Sequence, residues 1–328
     1  MALALFLTPS LLFAKPKAKA TNNNDSGKLK IVTTIFPEYD WVKQILGTRV
    51  NDVDLTLLLD SGVDLHSYQP TVQDIAKITN ADIFIYVGGE SNEWVEDVLE
   101  RAKNKQCIKI NLLEVLGDRL KEEEFVEGMQ LDDDDDIYDI DDDEDDDDFD
   151  DYDEHVWLSL RNAQILCTKI TDALCQKDAE NAALYRANLT SYNKKLSDLD
   201  AEYKAVVNSA KRNTVLFGDR FPFRYLTEDY GLSYYAAFIG CSAESEASFK
   251  TVVFLAEKVN ELNLPCILQI ETGNGKIAKT IIQSSKNKKA KILTLDSMQS
   301  VTSKDIKKGV SYYSIMQKNL EVLKTALN

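Results

Sequence analysis

From residue 28 onward, apolar positions fall into two alternating rhythms. Residues 29–36 (LKIVTTIF) form a β-branched, apolar run, and residues 39–46 carry the spacing of one helix face. The exchange continues with a strand at 53–59, a helix at 71–79, a strand at 83–87 (IFIYV), a helix at 92–102 and a strand at 107–110. Strands alternating with helices at this interval predict βαβ units and a parallel sheet.

The rhythm breaks at an acidic stretch and resumes as helix only. Residues 158–175 are amphipathic, and residues 180–211 run without Gly or Pro. A helix of that length would reach about 45 Å, the scale of a whole domain, and could join two lobes as a strut. Alternation then returns: strands at 214–217, 234–239, 266–270 and 290–295, helices at 222–230, 248–262 and 276–284, and a closing helix at 306–327. The expected fold class is α/β, with two lobes, each a small, mostly parallel sheet flanked by helices, bridged by one long helix. The expected division is a signal peptide and linker at 1–27, a first lobe at 28–178 with a disordered acidic loop at about 122–154, the bridging helix at 179–212, and a second lobe at 213–328.

Charge changes this picture in one place. The formal net charge is −17, but residues 132–154 hold 18 acidic residues and no basic one, leaving 37 acidic against 38 basic elsewhere. The protein is therefore nearly neutral outside a single polyanionic segment, and nothing in it points to nucleic acid. Residues 1–14 (MALALFLTPSLLFA) form an apolar run too short to span a bilayer, which takes roughly 20 residues. It reads as a signal-peptide core, with Ala14 or Ala20 as its last residue, so export to the periplasm or cell surface is expected. No lipobox cysteine is seen near it. Five cysteines occur without a CxxC pair. Cys241 and Cys266, on or after neighbouring predicted strands, could pair in an oxidising compartment. Cys107, Cys167 and Cys175 read as small buried groups.

Only two histidines are present, and each stands beside carboxylates at the end of a strand or loop. His66 lies in SGVDLHSYQPT after the second strand, and His155 in DYDEHVWLSL where the acidic run meets a helix. Ligands of open α/β sheets bind beyond the carboxyl ends of strands, and imidazole suits zinc. Three carboxylates end or follow strands of the second lobe: Asp219, Glu271 and Asp296. Each could instead cap a helix or pair with a nearby lysine.

Two segments carry a family resemblance: DLHSYQPTVQDIAKITNADIFIYVGGESNEW and EHVWLSLRNAQILCTKITDAL. They resemble the first and second ligand segments of the metal-binding receptor proteins of zinc and manganese ABC importers. GCSAESEASFKTVVFLAEKVNEL and CILQIETGNGKIAKTI resemble the second lobe of the same family, so the likeness runs from about residue 29 to the C-terminus, the acidic insert excepted. The resemblance implies a protein that is not an enzyme, binds one metal between two lobes, and delivers it to a membrane permease, acting as a monomer. It implies Zn2+ as the metal, with Mn2+ as the alternative, because zinc members carry a charged loop before the second ligand. It also implies His66 and His155 as first and second ligands and Asp296 as the fourth. The third ligand of the family falls at Gly218, which has no side chain, so Asp219, Glu271 or water would complete the site. Acidic-run residues such as Asp141, Asp142, Asp143, Glu144, Asp145, Asp153 and Glu154 are expected to recruit cations weakly, since a flexible polyanion forms no cage.

Overall fold

The computed structural model describes residues 27–130, 152–242 and 246–328. The first lobe runs β1 (Lys30–Thr33), α1 (Phe36–Leu46), β2 (Asp54–Leu57), α2 (Val72–Thr79), β3 (Ile83–Tyr86), α3 (Trp94–Glu100), β4 (Ile108–Asn111) and α4 (Leu112–Leu116). Its strands form one parallel sheet in the order β2-β1-β3-β4. Ile31, Val32, Ile83, Phe84 and Ile85 of the two central strands are all buried. Such unbroken apolar runs are what a sheet covered on both faces requires.

Two long helices follow, α5 (Leu160–Lys177) and α6 (Ala182–Asn208). Helix α6 has 27 residues, about 40 Å at 1.5 Å per residue. Tyr185, Tyr192, Leu196, Leu199 and Tyr203 form its buried stripe. It packs on α1 and α5 of the first lobe and on two helices of the second, α7 (Arg224–Tyr230) and α11 (Tyr312–Ala326). The long helix is thus a shared wall of both lobes.

The second lobe adds β5 (Thr214–Leu216), β6 (Ser233–Tyr235), α8 (Phe249–Glu261), β7 (Cys266–Gln269), α9 (Lys276–Ser284), β8 (Lys291–Thr294) and α10 (Ser303–Lys307). β5 pairs with β6 and β7 with β8, both in parallel. A parallel bridge between Phe217 and Leu268 joins the two pairs, giving the order β6-β5-β7-β8. The second lobe therefore repeats the strand order of the first.

The closing helix expected over 306–327 is two helices. Gly309, at φ +89°, turns the chain between α10 and α11. The acidic insert is also narrower than expected. Residues 122–130 and 152–154 are ordered parts of the fold, with Glu122 bridged to Tyr152 and Asp153 N–H donating to the Lys121 carbonyl at 2.9 Å. Residues 131–151, and the expected signal segment within residues 1–26, lie outside the described residues.

One apolar core reaches across both lobes, from Ile31 to Leu327, and takes in Trp41, Trp157, Phe217 and Tyr312. A smaller core fills the space between β7, α8 and α9. A large apolar contact of this kind opposes free hinge motion of the lobes.

Candidate metal centre

His66 sits on a short 3-10 turn, Leu65–Ser67, just beyond β2. The buried Leu65 anchors the turn, and Asp64 caps it by accepting from the His66 N–H at 3.1 Å. His155 opens a second such turn, Val156–Leu158, and is fully buried. Asp153 accepts both the backbone N–H of His155 (2.8 Å) and its ring Nδ1–H (3.1 Å). The ring also rests beside Trp157, whose Nε1–H reaches across to the carbonyl of Ser297 in the second lobe.

These two turns bring the imidazoles together. Their Nε2 atoms are 3.3 Å apart. Asp153 holds the Nδ1 proton of His155, so Nε2 of that ring presents a lone pair. On the His66 ring, Nδ1 lies 2.8 Å from the Ser91 hydroxyl. Two imidazoles backed at Nδ1 and facing through Nε2 are an arrangement that a cation between them would stabilise. With Zn–N bonds of about 2.0–2.1 Å, the nitrogen–nitrogen edge of a tetrahedral zinc site is about 3.3–3.4 Å, matching the observed separation.

A third group joins them. His66, His155 and Cys241 offer one ligand atom each within 4.8 Å of one another, and they form the metal-capable group among the described residues. Cys241 lies on the loop after β6, where its backbone N–H donates to Glu123 at 3.2 Å. Gly240 makes the approach possible, because a Cβ there would lie 3.1 Å from Cε1 of His155. Cys241 and Cys266 do not pair: all five cysteines are free, and Cys266 is buried in β7.

The second-lobe carboxylates expected at the centre stand outside this group. Glu271 accepts from the N–H groups of Ser297 (2.7 Å) and Gln299 (3.0 Å), so it pins the turn after β8. Asp296 accepts from the Met298 N–H at 2.8 Å, while burial and the Glu271 charge push its pKa up to about 6. Asp219 accepts from the N–H groups of Arg220 (2.9 Å) and Ile270 (3.2 Å). Asp219 and Glu271 have both oxygens on backbone donors and Asp296 has one, the capping role that strand-end positions favour.

Asp153 and Glu154 also depart from expectation, being buried rather than free to recruit ions from solvent. Asp153 orients His155. Glu154 accepts from the Ser91 N–H at 2.8 Å and leaves its other oxygen 3.7 Å from Nδ1 of His66. Burial raises the Glu154 pKa to about 7. The other acidic residues named above, Asp141, Asp142, Asp143, Glu144 and Asp145, lie outside the described residues.

Arg220 ties the two candidate loops across the lobes. Its guanidinium donates to Asp64 at 2.6 Å, next to His66, and to the Ser242 carbonyl at 3.2 Å, next to Cys241. Burial works against the Asp64 charge, but Arg220 outweighs it and holds the carboxyl below its usual range. Sequence reasoning missed Cys241, Ser91, Asp153 in its orienting role, and Arg220. For Cys241 a signal existed, since it follows a strand of the second lobe, but a disulfide explained the same position.

Gly218 lacks a side chain because it has no room for one. A Cβ there would lie 2.7 Å from Cα and 2.8 Å from N of Ala278 in α9. Gly218→His is therefore expected to destabilise the fold by about 1–3 kcal/mol through overpacking and to leave zinc affinity no tighter. Denaturant unfolding and metal titration of the variant check both halves.

Paired lobes of equal strand order on one spanning helix, with candidate ligands meeting at their junction, define a two-lobed α/β binding protein. Residues 31–326 match the family described as "Zinc-uptake complex component A periplasmic", and the chain belongs to that family. It is 31% identical over 309 residues to the high-affinity zinc uptake system protein ZnuA of Bacillus subtilis (strain 168), covering 94% of this chain and 91% of that one. It is 30% identical over 315 residues to the zinc-binding protein AdcA of Streptococcus pyogenes serotype M3, covering 96% of this chain but only 59% of that protein. The chain thus spans about three-fifths of the length of the AdcA proteins. Among solved structures, the Zn(II)-bound ZnuA-like domain of Streptococcus pneumoniae AdcA superposes with a TM-score of 0.68 at 28% identity, covering 92% of this chain and 99% of that one. The metal-dependent lipoprotein YcdH of B. subtilis gives a TM-score of 0.71 at 28% identity, with the same shares covered.

Proposed function

We propose that this protein captures zinc outside the cytoplasm, at the junction of its lobes, and hands it to the membrane permease of an ABC importer. It is a binding protein, not an enzyme, and it works as a monomer. The observation that carries the reading is the meeting of His66 and His155 through Nε2 at 3.3 Å. The comparisons support the metal, since the named relatives are zinc-binding and zinc-uptake proteins. Imidazole donors favour zinc over manganese, which prefers oxygen ligands. No helix among the described residues is long and apolar enough to cross a membrane. The acidic run, whose last residues Asp153 and Glu154 directly precede His155, would raise the local cation concentration near the site.

Calorimetric titration of the metal-free chain tests this. The expected result is about one tight zinc per chain, bound more tightly than manganese, as one ordered site predicts. A series of weak sites with no tight one would overturn the proposal.

The site also predicts how affinity varies with pH. Burial first, and then the nearby His155 charge, push the His66 pKa down to about 3, so that ring is neutral and ready near pH 7. Burial also pushes His155 down, but Asp153, Glu154 and Glu123 outweigh it and hold its pKa above the ordinary histidine value of 6.5. A proton on His155 must therefore leave before metal enters, and binding releases it. The sign is that affinity falls as pH drops through the His155 pKa. Below that pKa, the proton displaced from His155 costs up to about tenfold per pH unit, so zinc is expected to bind more weakly at pH 5 than at pH 7. Titration across that range, with proton release read from different buffers, measures it.

A further inference from the structure

The proposed receptor reading leaves open what completes the pair of imidazoles, and the loop after β6 answers that question. Of the two carboxylates nearest the rings, Asp153 accepts from Nδ1 of His155 at 3.1 Å, and Glu154 stands 3.7 Å from Nδ1 of His66 with that oxygen unpaired. Neither belongs to the group whose ligand atoms lie within 4.8 Å of one another. Asp219, Glu271 and Asp296 are bonded to backbone N–H groups at strand ends. Among the described residues, Cys241 is the donor that groups with the two rings, its ligand atom within 4.8 Å of theirs and free of any disulfide.

The loop is built to hold that sulfur in place. Glu123 from the first lobe accepts the Cys241 N–H at 3.2 Å, and Arg220 donates to the adjoining Ser242 carbonyl at 3.2 Å. Gly240 lets the backbone lie against the His155 ring, where a Cβ would come to 3.1 Å. The same Arg220 grips Asp64, which caps the His66 turn. A single guanidinium thus sets the spacing between the loop carrying the sulfur and the loop carrying the first imidazole.

We propose that Cys241 is the third metal ligand, so that this chain captures zinc with two imidazoles and one thiolate, His66, His155 and Cys241. This rests on the receptor reading above and sharpens it. With Zn–S at about 2.3 Å and Zn–N at about 2.0–2.1 Å, a tetrahedral nitrogen–sulfur edge is about 3.6 Å. The three ligand atoms, already within 4.8 Å, need to draw in by about one ångström to meet it. Metal coordination removes the thiol proton outright, even beside carboxylates. The soft sulfur biases the site further toward zinc and away from manganese, which takes oxygen donors. The second lobe then contributes its ligand from the β6 edge of the sheet. The position after β5, Gly218, is closed by Ala278.

Cobalt(II) substitution reads the sulfur directly. The cobalt-loaded chain is expected to show an intense near-ultraviolet sulfur-to-cobalt charge-transfer band, which Cys241→Ser removes. The same variant is expected to bind zinc more weakly by on the order of 100-fold, at or above the loss seen when an outer partner of a ligand is removed. Zinc-loaded wild-type chain should also resist alkylation at Cys241 relative to metal-free chain, while Cys107 reacts equally in both. That comparison uses no variant, so it stands even if Cys241→Ser fails to fold. A cobalt complex that depends on His66 and His155 but lacks the band, with Cys241 alkylated equally with and without zinc, would overturn the thiolate ligand and leave the receptor reading intact. Zinc binding unaffected by His66→Ala and His155→Ala would instead overturn the receptor reading itself.

Discussion

His155→Ala is expected to remove the tight zinc site and to destabilise the metal-free fold as well. The loss of metal follows from its place as one of two facing imidazoles, and should exceed about 100-fold in affinity, more than removal of an outer partner costs. The loss of stability has a separate origin. His155 is fully buried and gives Asp153 its ring N–H. Without the ring, Asp153 keeps the backbone N–H of residue 155 but loses its side-chain partner in a buried position. Glu154, next to it, already has an oxygen without a hydrogen bond. Losing a hydrogen bond to a carboxylate costs about 1.5–3 kcal/mol. His66→Ala provides the contrast, because His66 stands at the more open edge and its loss should weaken zinc with a smaller effect on the metal-free fold. Titration and denaturant unfolding of both variants test this. Equal stability of the two metal-free variants would count against the buried-support argument, and wild-type zinc affinity in both would remove the site.

Tyr312→Ala is expected to give the largest loss of stability, roughly 3–5 kcal/mol, the range for deleting a buried aromatic side chain. Tyr312 starts α11 and is fully buried. Its ring meets Trp41 of α1 edge-on at 5.2 Å between centroids. Its backbone N–H donates to Asp40 at 3.0 Å, and its hydroxyl donates to the Trp157 carbonyl at 2.7 Å. One side chain therefore fastens the last helix to the first lobe and to the turn that carries His155. Tyr312→Phe keeps the ring and loses only the hydroxyl bond, so a cost nearer 1 kcal/mol is expected. Denaturant midpoints for the two variants separate the contributions. If Tyr312→Ala unfolds within about 1 kcal/mol of wild type, the apolar core shared by the lobes is not what holds them together.

The strand–helix alternation was legible because it is local. A central strand must bury both faces, so β1 and β3 read as apolar runs; a helix laid against a sheet must repeat every third or fourth residue, so α8 and α9 read as helices. The long α6 was legible from the absence of Gly and Pro. The break between α10 and α11 was not, because a glycine near a helix end reads equally as a surface residue until its positive φ is seen. His66 and His155 were found as the only two imidazoles, each at a strand or loop end beside carboxylates.

The sequence by itself determined the order of elements, the two-lobe α/β class and the two imidazoles, since periodicity and residue chemistry are written along the chain. Only the tertiary structure decided which groups share a point in space. It brought Cys241 to the imidazoles and closed Gly218 against Ala278. It turned Asp153 and Glu154 inward as supports, and it assigned Asp219, Glu271 and Asp296 to backbone donors. The physical reason is that a carboxylate or thiol near a strand end can cap, pair or ligate with similar intrinsic energy. The choice among these is made by the distance and burial that packing imposes, and neither is encoded in local spacing.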